Sequence, residues 1–279
     1  MTMNISEVCL ITFSPTGTSR KVGEAIVEGT GFSSVSVVDL TTAAAHDRME
    51  VAPQTLTVIA VPVYGGHVAP LALERMLRLR SAGAPAVLVV VYGNRAYEKA
   101  PVELEEMIMA CGFRIIAGAT FVGEHSYSNA DFPIAAGRPD EADLAFARDF
   151  GAKIRAKIAG AKDQWPPIVD FARIARPRQP LMPLLRFVFN VIRLRYGGTP
   201  LPRTPEVDAE RCSHCGHCAA ICPAGAIERG NESRTDREKC IKCCACVKGC
   251  PSRARAYDTP FGALLSKCFK QRKEPRVIL

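Results

Sequence analysis

Cys212, Cys215 and Cys218 follow one another at two-residue spacing, and Cys222-Pro223 closes the run; Cys240, Cys243, Cys246 and Cys250-Pro251 repeat it 28 residues further on. Three thiols so spaced on a short loop present three thiolates to one face of an iron–sulfur cubane. The fourth, on the following turn with proline behind it, reaches elsewhere. A cluster held by thiolates changes charge by one unit with little rearrangement, so the chemistry is single-electron transfer, and the spacing predicts two [4Fe-4S] clusters. Zinc would account for one group of four cysteines but not for a duplicated run with trailing Cys-Pro. Cys244 stands beside Cys243 and competes for its corner, although the spacing favours Cys243. His214 and His217, inside the first loop, read as tuning or merely exposed side chains, and Cys268, beyond both runs, as structural.

Ten of the twelve cysteines lie between Cys212 and Cys268, whereas Cys9 and Cys111 sit in apolar segments. Such segregation points to one localised task. No N-terminal stretch combines a basic start, an apolar run and a small-residue cleavage site, so the expected compartment is the cytoplasm, where clustered cysteines are metal ligands more often than disulfides. No run approaches the ~20 apolar residues of a membrane span.

The cysteine repeat resembles that of bacterial-type ferredoxins, in which the last cysteine of each run serves the other cluster. The resemblance implies Cys212, Cys215, Cys218 and Cys250 on one cluster, and Cys240, Cys243, Cys246 and Cys222 on the other. The ferredoxin domain is expected at 205–279, a small α+β unit.

Upstream, three loops could bind a mononucleotide. Ser14-Pro15-Thr16-Gly17-Thr18-Ser19 leads from an apolar strand into a helix, and hydroxyls with free backbone N–H groups at a helix start form an anion pocket without a lysine. Pro62-Val63-Tyr64-Gly65-Gly66-His67 and Tyr92-Gly93-Asn94-Arg95-Ala96-Tyr97 end two further strands; their glycines permit close backbone approach and their aromatic rings can stack on a planar ligand. The elements that must position these loops are apolar strands at 8–13, 35–38, 56–63, 86–92 and 113–121. Helical patterns occupy 17–28, 71–80, 101–111 and 140–158. Five apolar strands alternating with helices predict a five-stranded parallel sheet covered on both faces, an α/β doubly wound domain over 1–160.

These loops resemble those of flavodoxins. The resemblance implies FMN, with its phosphate on Ser14, Thr16, Gly17, Thr18 and Ser19. The flavin ring would then lie among Pro62, Val63, Tyr64, Gly65, Gly66, Tyr92, Gly93, Asn94, Arg95 and Tyr97. Together with the segments 121–127 and 137–140 and the cysteine repeat, the chain resembles a family of flavodoxin–ferredoxin fusions of anaerobic microbes.

Between the two lies a basic, proline-rich linker, 161–204, read as wrapping one short amphipathic helix at 184–195 on which Arg186, Asn190 and Arg193 share a face. The favoured place for that helix is packed between the domains. Contact with a membrane surface through 181–195, or docking of a partner, is the lesser alternative. The chain's formal charge of +8 arises wholly beyond residue 160, where 22 Lys and Arg face 11 Asp and Glu. Cluster thiolates would offset part of it, and no nucleic-acid motif or aromatic platform accompanies it, so nucleic acid is excluded as a partner.

The expected function is electron transfer between the two clusters and FMN, to or from a redox partner protein, with no catalytic acid, base or nucleophile. A flavin-dependent reductase of a quinone, nitro or azo compound, testable at Tyr64, Arg95, Tyr97 and His125, is the first alternative. An iron–sulfur redox sensor is the second. No Gly-x-Gly-x-x-Gly fingerprint is present, so direct reduction by a nicotinamide is not expected.

Overall fold

β-Branched apolar runs become the strands of the main sheet, buried except at the edge strand Ser34–Asp39, where polar residues alternate with valine and the side chains are largely exposed. In the computed structural model, which describes residues 5–42, 48–161, 165–197, 201–202 and 204–279, these strands are β1 (Glu7–Thr12), β2 (Ser34–Asp39), β4 (Thr55–Tyr64), β7 (Pro85–Tyr92) and β8 (Arg114–Val122). They pair in parallel in the order β2-β1-β4-β7-β8. Among these five strands that is the 2-1-3-4-5 order of the flavodoxin-like doubly wound sheet, and it puts a topological switch point between β1 and β4.

One face is covered by α1 (Thr18–Thr30) and α4 (Glu141–Gly160), which enclose Val8, Leu10, Val58, Val87, Phe150 and Ile154. The two helices cross closely at glycines: a Cβ on Gly29 would stand 2.0 Å from the Arg148 carbonyl oxygen, and one on Gly151 would stand 2.1 Å from that of Ile26. The other face is covered by α2 (Pro70–Met76) and α3 (Ala100–Ala110), over Ile11, Ile59, Leu88 and Val90. The doubly wound α/β expectation holds, with one correction. The helix expected at 71–80 stops at Met76, and Leu79–Ser81 is a short strand, β6, pairing with β3 (Met49–Val51) in a separate two-stranded sheet. A third short strand, β5 (His67–Val68), folds back on the end of β4.

In the linker, α5 runs over Leu181–Tyr196, longer than the sequence pattern indicates. Pro183 does not break it, because it lies in the first turn, where no N–H is needed for the helical ladder. Beyond it, β9 (Glu206–Val207) pairs antiparallel with β10 (Arg255–Ala256), and the two close the cysteine repeat on itself.

The chain does not stay with that repeat. It forms α8 (Pro260–Cys268), which packs on α5, and then β11 (Arg276–Ile278), which joins the main sheet antiparallel to β8. The return is pinned by polar contacts. Asn94 Nδ2 donates to the carbonyls of Phe269 (2.7 Å) and Gln271 (3.0 Å). Lys273 Nζ donates to those of Asn94 (2.7 Å) and Arg95 (2.6 Å), and Arg272 bridges to Asp140 at 2.6 Å.

Candidate functional site

The two cysteine runs share one backbone design. Short helices α6 (His217–Ala220) and α7 (Ala245–Lys248) carry Cys218 and Cys246. Left-handed residues recur at the repeat interval: His214 and Lys242, Gly216 and Cys244, Gly225 and Arg253. Backbone N–H groups of Ala226 and Ala254 each donate to a sulfur, Cys222 Sγ and Cys250 Sγ, at 3.3 Å. Identical turns therefore present the thiols in both halves.

The thiols enclose two separate small cavities. One is lined by Cys212, Cys215, Cys218 and Cys250, the other by Cys222, Cys240, Cys243 and Cys246, with Cys244 alongside. Each cavity thus gathers three cysteines of one run and the fourth of the other. Among the described residues, no three His, Cys, Asp or Glu side chains converge to hold a single ion. Burial pushes the Cys243 thiol up to about 12 and the Cys246 thiol to about 11. As free thiols these sulfurs are protonated at neutral pH, and a metal must displace their protons. Arg255, buried, occupies the repeat position of Ile227 and reaches both groups. Nη1 lies 3.6 Å from Cys246 Sγ, the guanidinium also acts on Cys218, and Nη2 is anchored by the Glu232 carbonyl.

At the carboxyl ends of the strands, beside the switch point, lies a cleft of about 440 Å³, within the ~300–1,000 Å³ of small-molecule sites. Of the fifteen sequence candidates, Thr16, Thr18, Pro62, Val63, Tyr64, Gly65, Gly66, Tyr92, Gly93 and Arg95 line it. The other five do not. Ser14 Oγ accepts from the Arg20 N–H at 3.1 Å and tethers the start of α1, and Gly17 supplies the left-handed N-cap. Asn94 holds the returning C-terminal segment, as described above. Tyr97 is buried behind Tyr92, edge to face at 5.3 Å, with its hydroxyl on the Ala175 carbonyl. Ser19 is fully buried in the first turn of α1, and its Oγ has no partner.

That orphan hydroxyl supports a ligand anion in the loop, because its O–H is left free to donate. Gly65, with φ 63° and nothing within 4 Å of where a Cβ would stand, leaves the cleft room for a close approach, whereas Gly93 is needed by the protein itself, since a Cβ there would meet His125 Cδ2 at 2.2 Å. The residues present therefore fit a phosphorylated, planar aromatic ligand. Burial pushes His125 down to about 4, with Lys248 and Arg95 adding to the effect, so it is neutral at physiological pH. Its Nδ1 accepts from the Tyr127 N–H at 3.0 Å. Burial holds the phenols of Tyr64, Tyr92 and Tyr127 well above their ordinary value. Burial alone would raise the Glu124 carboxyl, but Lys248 Nζ at 2.6 Å and the Gly137 N–H outweigh it and keep it ionised.

The remaining wall comes from residues the loop motifs did not include. Gly123 to Tyr127 follow β8, and Phe187, Val191 and Arg195 come from α5. Phe261 and Leu265 come from α8, and Ile241 and Lys242 from inside the second cysteine run. The spacing of four between Phe187, Val191 and Arg195 was the available signal for a shared helix face. Ile241 lines both the cleft and the cavity of Cys222, Cys240, Cys243 and Cys246. That cavity is thus proximal to the cleft and the other is distal. Arg75 fastens the arrangement, donating to the Pro223 carbonyl at 2.6 Å and to the Thr41 carbonyl at 2.7 Å.

Residues 204–257 match the family described as 4Fe-4S dicluster domain. That segment is a module for two [4Fe-4S] clusters. No curated protein matches the chain. Solved structures similar to it include a flavodoxin from Streptococcus pneumoniae TIGR4, at 15% identity and TM-score 0.38, covering 54% of this chain and 99% of that one. Oxidised flavodoxin 1 from Bacillus cereus is 15% identical at TM-score 0.38, with coverage of 53% and 96%. Rubredoxin oxygen:oxidoreductase from the anaerobe Desulfovibrio gigas is 13% identical at TM-score 0.40; the alignment covers 56% of this chain and 37% of that one. The assignment of the sheet rests on its own strand order.

Proposed function

We propose that this protein transfers electrons between two [4Fe-4S] clusters and an FMN in the strand-end cleft, to or from a redox partner protein. The observation that carries this reading is the wall shared between the proximal cysteine cavity and the cleft, formed by Ile241. When bound, FMN supplies exchange of one or two electrons, and each cluster supplies one-electron exchange.

The chain's own residues do the positioning. In this reading Cys212, Cys215, Cys218 and Cys250 hold the distal cluster, and Cys240, Cys243, Cys246 and Cys222 the proximal one, which the crossed lining of the two cavities supports. Repeat symmetry favours Cys243 over Cys244, which stands where the first run has Gly216 and turns its thiol to the Lys242 carbonyl at 3.6 Å. Thr16 and Thr18 would hold the flavin's phosphate, with the unpartnered Ser19 Oγ behind them. Tyr64, Tyr92 and the backbone of Gly65, Gly66 and Gly93 would hold its ring. Neutral His125, protonated tyrosines and a Glu124 carboxylate already paired with Lys248 support electron exchange over substrate protonation.

Anaerobic purification with iron, sulfide and flavin measured on the same sample tests the reading. About eight irons and about one flavin per chain are expected. Full iron with an empty cleft would leave a two-cluster ferredoxin joined to a scaffold. Chemically reduced protein should pass electrons to protein acceptors; rapid turnover confined to quinone, nitro or azo compounds would instead support a reductase.

A further inference from the structure

One helix leaves an apolar face open to solvent. On α5, Leu184, Phe187, Val191 and Leu194 pack against the cluster formed by Ile134, Leu264, Leu265 and Phe269. On the other side Met182, Leu185, Val188, Phe189, Ile192 and Tyr196 are 46–85% exposed. At ~100° per residue these six fall in one unbroken arc of about 120°, with Arg186 and Arg193 along one border and Arg195 on the other. A stripe of this size on a folded surface marks an interaction site rather than chance exposure.

Its surroundings select the partner. From residue 171 to residue 205 the chain carries seven arginines and no Asp or Glu. A second copy meeting this face across a twofold axis would set one arginine rim against another, which is unfavourable. An anionic bilayer offers the complementary pair of properties, negative headgroups for the rim and acyl chains for the stripe. Guanidinium groups at the borders can stay among the headgroups while the apolar side chains enter below them. A helix of 16 residues is too short to span the bilayer, and among the described residues no helix is long and apolar enough to do so.

We propose that α5 docks the protein on an anionic lipid surface, lying in the plane of the interface with its Leu185, Phe189 and Ile192 face inserted. The inner face of the same helix walls the cleft through Phe187, Val191 and Arg195, so docking sets the cleft beside the bilayer. The inference does not depend on which cofactor fills the cleft.

Flotation of the complete, cluster-loaded protein with lipid vesicles tests it. Binding to vesicles containing phosphatidylglycerol is expected, weakening with salt and falling at least tenfold on pure phosphatidylcholine. Phe189→Asp with Ile192→Asp should abolish binding to both. Arg186→Gln with Arg193→Gln should lower binding to the anionic vesicles by roughly thirtyfold, given about 1 kcal/mol of headgroup attraction per arginine. Unchanged cluster absorbance and elution volume show that the variants fold, and binding by the unmodified protein is informative without them. The proposal is overturned if the unmodified protein ignores phosphatidylglycerol vesicles, or if the double aspartate variant binds them equally well. A dimer of the unmodified protein that the same variant converts to monomer, without flotation, would also overturn it, by showing that a second copy covers the face.

Discussion

At Cys244 the second cysteine run departs from the first: a side chain occupies the left-handed backbone position, φ 58°, that Gly216 fills at φ 74°. A non-glycine residue there costs about 1 kcal/mol. Cys244→Gly should therefore keep about eight irons per chain and leave the protein as stable or slightly more so, whereas Cys243→Ala should lose about half the iron. Iron analysis and thermal melts check both. Arg255 is the other departure, a buried cation where the first run has Ile227. It favours the more negative, reduced form of any cluster near it, so Arg255→Ile should lower cluster potentials by on the order of 100 mV. Spectroelectrochemical titration reads the change, and a shift upward would contradict the charge argument. His125 carries a pH dependence. Burial lowers its folded value to about 4 from 6.5, so between those values the unfolded chain binds the proton and the folded one does not. The stability is present above pH 6.5 and lost as pH falls toward 4, by at most about 3 kcal/mol. The drop in thermal midpoint between pH 7 and pH 5 should shrink in His125→Gln.

Among the elements, the α1–α4 crossing is the most demanding contact. Gly151→Ala would force a Cβ to within 2.1 Å of the Ile26 carbonyl oxygen. The helices must part, at about 1–3 kcal/mol, and a lowered thermal midpoint with unchanged iron content is the expected result. The four inner strands were legible as apolar runs between turn residues and the edge strand β2 by its alternating valines, and the loops at their ends announced the cleft through Gly65, Gly66 and Gly93. The cysteine spacing likewise announced two thiol groups. What was not legible depends on contacts distant in sequence. Asn94 reads like a loop residue of the cleft, yet its amide is taken by two carbonyls some 175 positions away. Arg276–Ile278 is too short to register as a strand until β8 offers it a partner. The 71–80 helix was overextended because Leu77 to Arg80 continue a helical pattern, and only pairing with β3 draws Leu79–Ser81 into a strand.

Across the whole molecule, the polar contacts between the cysteine module and the sheet are few and specific. Arg75 with Pro223 and Lys248 with Glu124 hold the module's near side, and Tyr127 against Tyr257, with ring centroids 5.2 Å apart, adds a third point. The segment that follows the module is then held by Asn94 and Lys273. Asn94→Ala removes both amide bonds to that segment, at about 1–3 kcal/mol. Limited proteolysis should then cut between 269 and 275 faster than in the unmodified protein, while the cysteine module stays intact. Equal cleavage rates would show that Lys273 and β11 suffice.

The antiparallel pairing of β11 with β8 also bears on biosynthesis. The edge of the sheet at β8 stays open until the ribosome has released the residues that follow all eight repeat cysteines. Iron loading and closure of that edge therefore fall in the same late interval. Until that interval β8 is a bare strand edge, a natural target for chaperones or for aggregation.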